Sequence, residues 1–138
     1  MTVKPQRVRD FMTPNPLTVT ADTEIMRVIS LLVERDISGL PVVSTDGALV
    51  GFVTERDCIR IALQAGYFDE IGGRVADYMT TRVHSVHPED SLMDVGELFA
   101  DSPFRRCPVV ENGLLVGLIC RRDVLRALTG GAWFSQTT

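Results

Sequence analysis

What most limits the folds open to this chain is that its sequence is written twice. The hexapeptide VRDFMT (Val8 to Thr13) returns as VADYMT (Val75 to Thr80), 67 residues later. The same offset aligns Thr18-Val19 with Ser85-Val86, and Pro41-Val42-Val43 with Pro108-Val109-Val110. The offset then drops to 66, where GALVGFVTERD (Gly47 to Asp57) meets GLLVGLICRRD (Gly113 to Asp123). Across residues 8–43 and 47–63 the copies agree at 18 of 53 positions, a true duplication that has to be recognised before any fold is assigned. The one-residue slip falls where the first copy reads STDG and the second ENG. Asp-Gly and Asn-Gly between apolar runs signal hairpin turns, because these residues tolerate positive φ, and an insertion belongs there.

Each copy then reads as a short strand near Leu17-Val19 or Ser85-Val86, a helix, a hairpin and a second helix. In the first helix Ile25, Val28, Ile29 and Leu32 recur at i, i+3, i+4 and i+7, one apolar stripe. Leu92, Val95 and Phe99 repeat the stripe, and Thr23 and Asp90 stand at equivalent positions as N-cap candidates. The valine-rich strands Leu40–Val43 and Leu49–Thr54 suit a sheet covered by helices on one face. The repeats run over 8–66 and 75–129, with a glycine-containing linker at 67–74 and a tail at 130–138. One copy of about 60 residues is marginal alone, so the two are expected to pack face to face with pseudo-twofold symmetry, creating two related clefts.

With 138 residues the chain can bury a sizeable core without a metal or disulfide staple. A net charge of −4 argues against a broad nucleic-acid surface, which needs a basic face. Cys58, Cys107 and Cys120 lie far apart without Cys-x-x-Cys spacing, which suits a reducing compartment. Neither a signal peptide nor a membrane span is legible, so the expected setting is cytoplasmic.

The opening V-x-D-aromatic-M-T block, the P-V-V strand and the G-h-h-[T/S]-x-x-D junction, in order and twice, resemble the cystathionine-β-synthase-type (CBS) domain. Two in tandem resemble the pair called a Bateman module, of the stand-alone bacterial type, over roughly residues 8–128. The resemblance implies an α/β fold of two β-α-β-β-α repeats. It also implies an adenosine-bearing ligand (AMP, ADP, ATP, NAD or S-adenosylmethionine) in the clefts, a homodimer, and regulation of an effector protein. On this resemblance the ligand is expected to be a signal and not a catalytic cofactor.

Carried onto this sequence, the resemblance makes Thr54 and Asp57 the holders of ribose and nearby phosphate. The chemistry fits, because one carboxylate can accept from two ribose hydroxyls and the helix start favours phosphate. Thr-x-x-Asp is equally a capping box, whose side chains satisfy each other's backbone N–H groups. In the second copy Cys120 replaces the threonine while Asp123 stays, which favours a ligand role for the acids and leaves the second cleft weaker or differently selective. Ile37, Ser38, Gly39, Leu40 and Pro41 match the family's adenine clasp, and Phe104, Arg105, Arg106, Cys107 and Pro108 are their counterparts. Leu40 and Cys107 read equally well as core. Thr18 and Ser85 match positions near the ligand.

Gly51 and Gly117 allow either a close ligand approach or tight strand packing. Arg56 and Arg122, directly before the aspartates, are the best phosphate ligands among the arginines, with Arg105 and Arg106 beside the second clasp. Pairing with Glu55 or Asp57 is their alternative role. His84 and His87 lack a third partner and read as loop residues, so no metal site is expected. Trp133-Phe134 offers a docking element for a dimer partner or for the chain itself. Neither a Ser/His/Asp set nor a P-loop is present, so an enzyme is disfavoured. Two readings remain: a nucleotide sensor, and a structural dimerisation module whose clefts are vestigial.

Overall fold

A computed structural model of the chain describes residues 6–65 and 72–130. The tail residues Trp133 and Phe134 and most of the linker lie outside the described residues. The chain forms two compact units with one topology.

The first unit is Leu17–Val83. It contains α1 (Ile25–Arg35), the hairpin β2 (Gly39–Val43) and β3 (Leu49–Thr54), and α2 (Glu55–Ala65). Val19 bridges Val42 in parallel on one side of the hairpin, and Thr80 bridges Phe52 on the other. The second unit joins residues 84–130 to the opening residues 6–16. It contains β1 (Thr13–Pro14), α3 (Leu92–Asp101), β4 (Arg106–Glu111), β5 (Leu114–Cys120) and α4 (Arg121–Gly130). Its sheet order is β1-β5-β4, and Val86 bridges Val109 as Val19 bridges Val42. The short first strand expected in each copy is thus a single parallel bridge. It is held by two backbone bonds, Val19 N–H to Pro41 O (3.2 Å) and Val43 N–H to Val19 O (2.9 Å).

The compact units are offset from the sequence repeats. The opening hexapeptide of the first copy completes the unit built by the second, and Val75–Thr80 completes the unit built by the first. Each hexapeptide adds an edge to a hairpin and drops its valine, Val8 or Val75, fully buried into the core. The conserved spacing of glycine within the duplication has its cause here. A Cβ on Gly51 would stand 2.7 Å from Met79 Sδ and 3.0 Å from the Thr80 carbonyl oxygen. On Gly117 it would stand 2.5 Å from Met12 Sδ and 3.0 Å from the Thr13 carbonyl oxygen. Both glycines therefore serve strand packing, with the repeated methionines laid over them.

The cores follow the apolar pattern. Ile25, Val28 and Leu32 of α1 meet Leu40, Val42 and Val53 of the hairpin, with Cys58, Val75 and Tyr78. Leu92, Val95 and Phe99 of α3 meet Cys107, Val109 and Ile119, with Val8, Val124 and Ala127. Full burial of such side chains contributes roughly 1.5–3 kcal/mol each. The ENG turn places Asn112 (φ 54°) and Gly113 (φ 80°) in the left-handed region, while the longer STDG turn needs it only at Gly47 (φ 89°). Two expected caps are corrected. Glu24 and Ser91 occupy the N-cap positions, and Ser91 accepts from Met93 N–H. Thr23 and Asp90 close the preceding turns instead, accepting from Thr20 N–H (3.3 Å) and His87 N–H (2.8 Å). No helix among the described residues is long and apolar enough to cross a membrane.

Candidate functional site

In the first unit, the last residue of β3 and the first turn of α2 form a closed box. Asp57 Oδ2 accepts from the Thr54 backbone N–H and from the Thr54 hydroxyl, both at 2.9 Å. Thr54 Oγ1 in turn accepts from the Asp57 N–H at 3.2 Å. This satisfies donors that a helix start leaves orphaned. One carboxylate oxygen remains over: no described residue donates to Asp57 Oδ1, and Asp57 is only half-buried. Gly39 lies opposite Thr54 in the hairpin register, and the Ser38 carbonyl accepts the Glu55 N–H at 2.9 Å. The residues 38, 39, 54 and 57 are therefore brought to one end of the sheet. Thr18 stands toward that end too, preceding the Val19 bridge to β2. Arg56 is exposed beside it.

Other expected clasp residues serve the core. Leu40 and Pro41 are buried, and Ile37 packs against the same cluster. A Cβ on Gly39 would lie 2.7 Å from Phe52 Cε1, so the absence of a side chain there lets Phe52 close over the strand.

The second unit repeats this frame with different chemistry. The Cys120 N–H donates to Asp123 Oδ2 at 2.8 Å, so half of the box survives the loss of threonine. Asp123 Oδ1 is taken as well, by Arg126 Nη2 at 3.1 Å, and the residue is 8% exposed. The same guanidinium nitrogen donates to the Phe11 carbonyl of the opening hexapeptide (3.2 Å). Arg60 is the identical residue at the matching place in α2, yet it makes no such bridge to Asp57. The Asp-x-x-Arg spacing was visible in both copies, but spacing alone does not tell which arginine turns inward. Neither Arg56 nor Arg60 forms an ion pair with Glu55 or Asp57 among the described residues.

Arg106 stands where the first copy has Gly39, paired in register with Cys120, and Leu118 takes the place of Phe52. The Arg105 carbonyl accepts the Arg121 N–H at 3.1 Å, as Ser38 accepts Glu55. Arg121 itself is spent on the Ser102 and Pro103 carbonyls, and Arg105 and Arg122 are exposed. Cys107 and Pro108 are buried, Phe104 stacks on His84 and meets Phe99 edge-on, and Ser85 is exposed before the Val86 bridge.

Burial pushes all three thiols up. Cys107 reaches about 12, through desolvation and then the charge of Asp90. Cys58 rises through burial and then Asp57. Cys120 rises through burial and then Asp123, with Arg106 opposing. None is a thiolate at neutral pH, so none is poised as a nucleophile. His87 Nδ1 accepts the Glu89 N–H, and no group of three or more His, Cys, Asp or Glu is placed to hold a metal among the described residues.

Comparison with known proteins gives this geometry its context. The family model described as CBS domain matches residues 8–64 and again residues 75–130. An uncharacterized protein of Methanocaldococcus jannaschii is 33% identical over 126 residues, covering 91% of this chain and 44% of that protein. An inosine-5'-monophosphate dehydrogenase of Nitrosopumilus maritimus is 31% identical over 123 residues, covering 88% of this chain and 24% of the enzyme. The chain thus spans less than half the length of these two relatives. The crystal structure of CBSX2, a protein of Arabidopsis thaliana, in complex with AMP superposes with a TM-score of 0.80 at 33% identity. That likeness covers 89% of this chain and 96% of CBSX2 as crystallised. The chain belongs to the CBS domain family and carries two copies of the domain in tandem.

Proposed function

We propose that this chain is a regulatory module that senses an adenosine-bearing nucleotide and passes its bound or free state to an effector protein. The observation that carries this reading is the asymmetry of the two aspartates. Asp57 keeps one carboxylate oxygen without a donor at a strand-to-helix junction, whereas both oxygens of Asp123 are engaged. A ribose offers two neighbouring hydroxyls, and a half-open carboxylate is the acceptor they need. In this reading Thr54, Gly39, Ser38 and Thr18 shape the ribose and base contacts, and Arg56 meets phosphate. The junction at Asp123, with Arg105, Arg106 and Arg122 nearby, is the weaker ribose site. The AMP bound to CBSX2 supports a ligand of this class. The match to the dehydrogenase occupies 24% of that enzyme, so a like pair also occurs inside a longer chain.

The Thr54–Asp57 box, complete without any ligand, favours a second reading, a structural dimerisation module. A thermal-shift panel of AMP, ADP, ATP, NAD and S-adenosylmethionine on the native chain separates the two. A ligand at about 100 times its Kd stabilises the folded state by roughly 2.7 kcal/mol. A clear rise in Tm with one of these supports the sensor, and no rise with any at millimolar concentration contradicts it.

A further inference from the structure

The two hexapeptides dock in the same way, but only one is contiguous with the unit it completes. In the unit Leu17–Val83 the chain reaches its own closing segment without leaving the unit. The second unit is closed by residues 6–16, which are separated from it by the whole of the first. The seat is specific and extensive. Val8 is fully buried, and its N–H and that of Arg9 donate to the Asp90 and Pro88 carbonyls, each at 3.0 Å. Leu92 N–H donates to the Gln6 carbonyl (3.1 Å), and Arg7 Nη1 to the Glu89 carbonyl (2.8 Å). Arg9 pairs with Glu89, and Thr13-Pro14 pairs with Leu118-Gly117 over the space that Gly117 leaves.

The segment hangs on a hinge under strain. Asn15 sits between Pro14 and Pro16 at φ 49°. A residue preceding proline is pushed toward extended conformations, so left-handed Asn15 is held against its preference by the docking on either side. The matching residues of the other copy, Thr81-Arg82-Val83, contain no proline and no positive φ. Extending the hinge relieves Asn15 and carries the segment away from its own seat, while an identical seat exists on every other copy of the chain. Strained hinges beside an exchangeable element favour such exchange.

We propose that residues 6–14 are an exchangeable docking segment, and that two copies of this chain pair by seating each opening segment in the other's Gly117 groove. The test uses two full-length variants, Met12→Cys and Gly117→Cys, unfolded, mixed, refolded together and oxidised. The exchange predicts a species of twice the chain mass whose peptide map shows a 12–117 disulfide. Each variant refolded alone lacks this bond. The double variant Met12→Cys/Gly117→Cys serves as the control that a 12–117 bond can close in this seat, within one chain or between two. If the double variant forms the bond and the mixture does not, exchange is refuted. Because a Cβ on Gly117 stands 3.0 Å from the Thr13 carbonyl oxygen and can itself block the bond, the refolded native chain gives the second measurement: a native chain that stays monomeric also refutes exchange.

Discussion

Replacing Asp123 with alanine removes a carboxylate that is 8% exposed and holds two partners, the Cys120 N–H at 2.8 Å and the Arg126 guanidinium at 3.1 Å. The two losses are unequal. The Cys120 N–H is part-buried at the end of β5, and stranding such a donor costs about 1–3 kcal/mol. The Arg126 side chain is 63% exposed, so its ion pair contributes only about 0–1 kcal/mol after solvent screening. The sum is about 2 kcal/mol, or a fall in Tm of roughly 5–10 °C for a chain of this size. Asp57→Ala removes a half-exposed group whose stranded partners water can reach, so its ligand-free loss should be about 1 kcal/mol. Asp123→Asn separates hydrogen bonding from charge: its carbonyl oxygen still accepts from Cys120 N–H, and most of the stability should return. Scanning calorimetry without ligand measures all three. If Asp123→Ala melts within about 1 °C of the native chain, the carboxylate is not structural and the assigned difference between the junctions fails.

Gly51→Ala should destabilise by about 1–3 kcal/mol, because the backbone carbonyl of Thr80 cannot yield as a side chain does, and urea denaturation reads the loss. Thr54→Val keeps the shape but removes both hydroxyl bonds of the box, so ligand-free unfolding free energy should fall by about 0.5–2 kcal/mol. Cys107 sets an alkaline limit. Its folded value of about 12 lies above the ordinary 9.0, so its contribution is complete below pH 9 and is lost as pH rises from there toward 12, where only the unfolded thiol ionises. Stability should fall by up to about 1.4 kcal/mol per pH unit for this group, and Cys107→Val should flatten the slope of unfolding free energy against pH.

Periodicity and duplication made the elements legible, since Ile25, Val28 and Leu32 line one helix face and the turn residues at Gly47, Asn112 and Gly113 carry the positive φ they announce. What the repeat did not reveal is which hairpin each hexapeptide joins. VRDFMT and VADYMT share four of six residues, among them the valine each core takes, so local sequence does not tell the two seats apart. The caps were misread for a related reason: Thr23 and Asp90 have the right chemistry for capping, but a turn just ahead of the helix uses it first. At the junctions, Thr54 and Asp57 were legible as a box, and the missing threonine at Cys120 marked the copies as unequal. The sealing of Asp123 by Arg126 was not, because Arg60 and Arg126 are the same residue at the same spacing and differ only in what the fold brings beside them.

The proposed sensor makes Asp57 the main ribose acceptor and leaves Asp123 chiefly a structural group at the weaker site. Calorimetric titration of AMP into the native chain, Asp57→Asn and Asp123→Asn tests it most directly, since asparagine keeps the size of both residues. A hydrogen bond to a charged acceptor contributes about 1.5–3 kcal/mol, so Asp57→Asn should weaken AMP about 10- to 150-fold. Asp123→Asn should change the affinity less than about threefold. Equal affinity of the native chain and Asp57→Asn, or a larger loss in Asp123→Asn, would contradict the account.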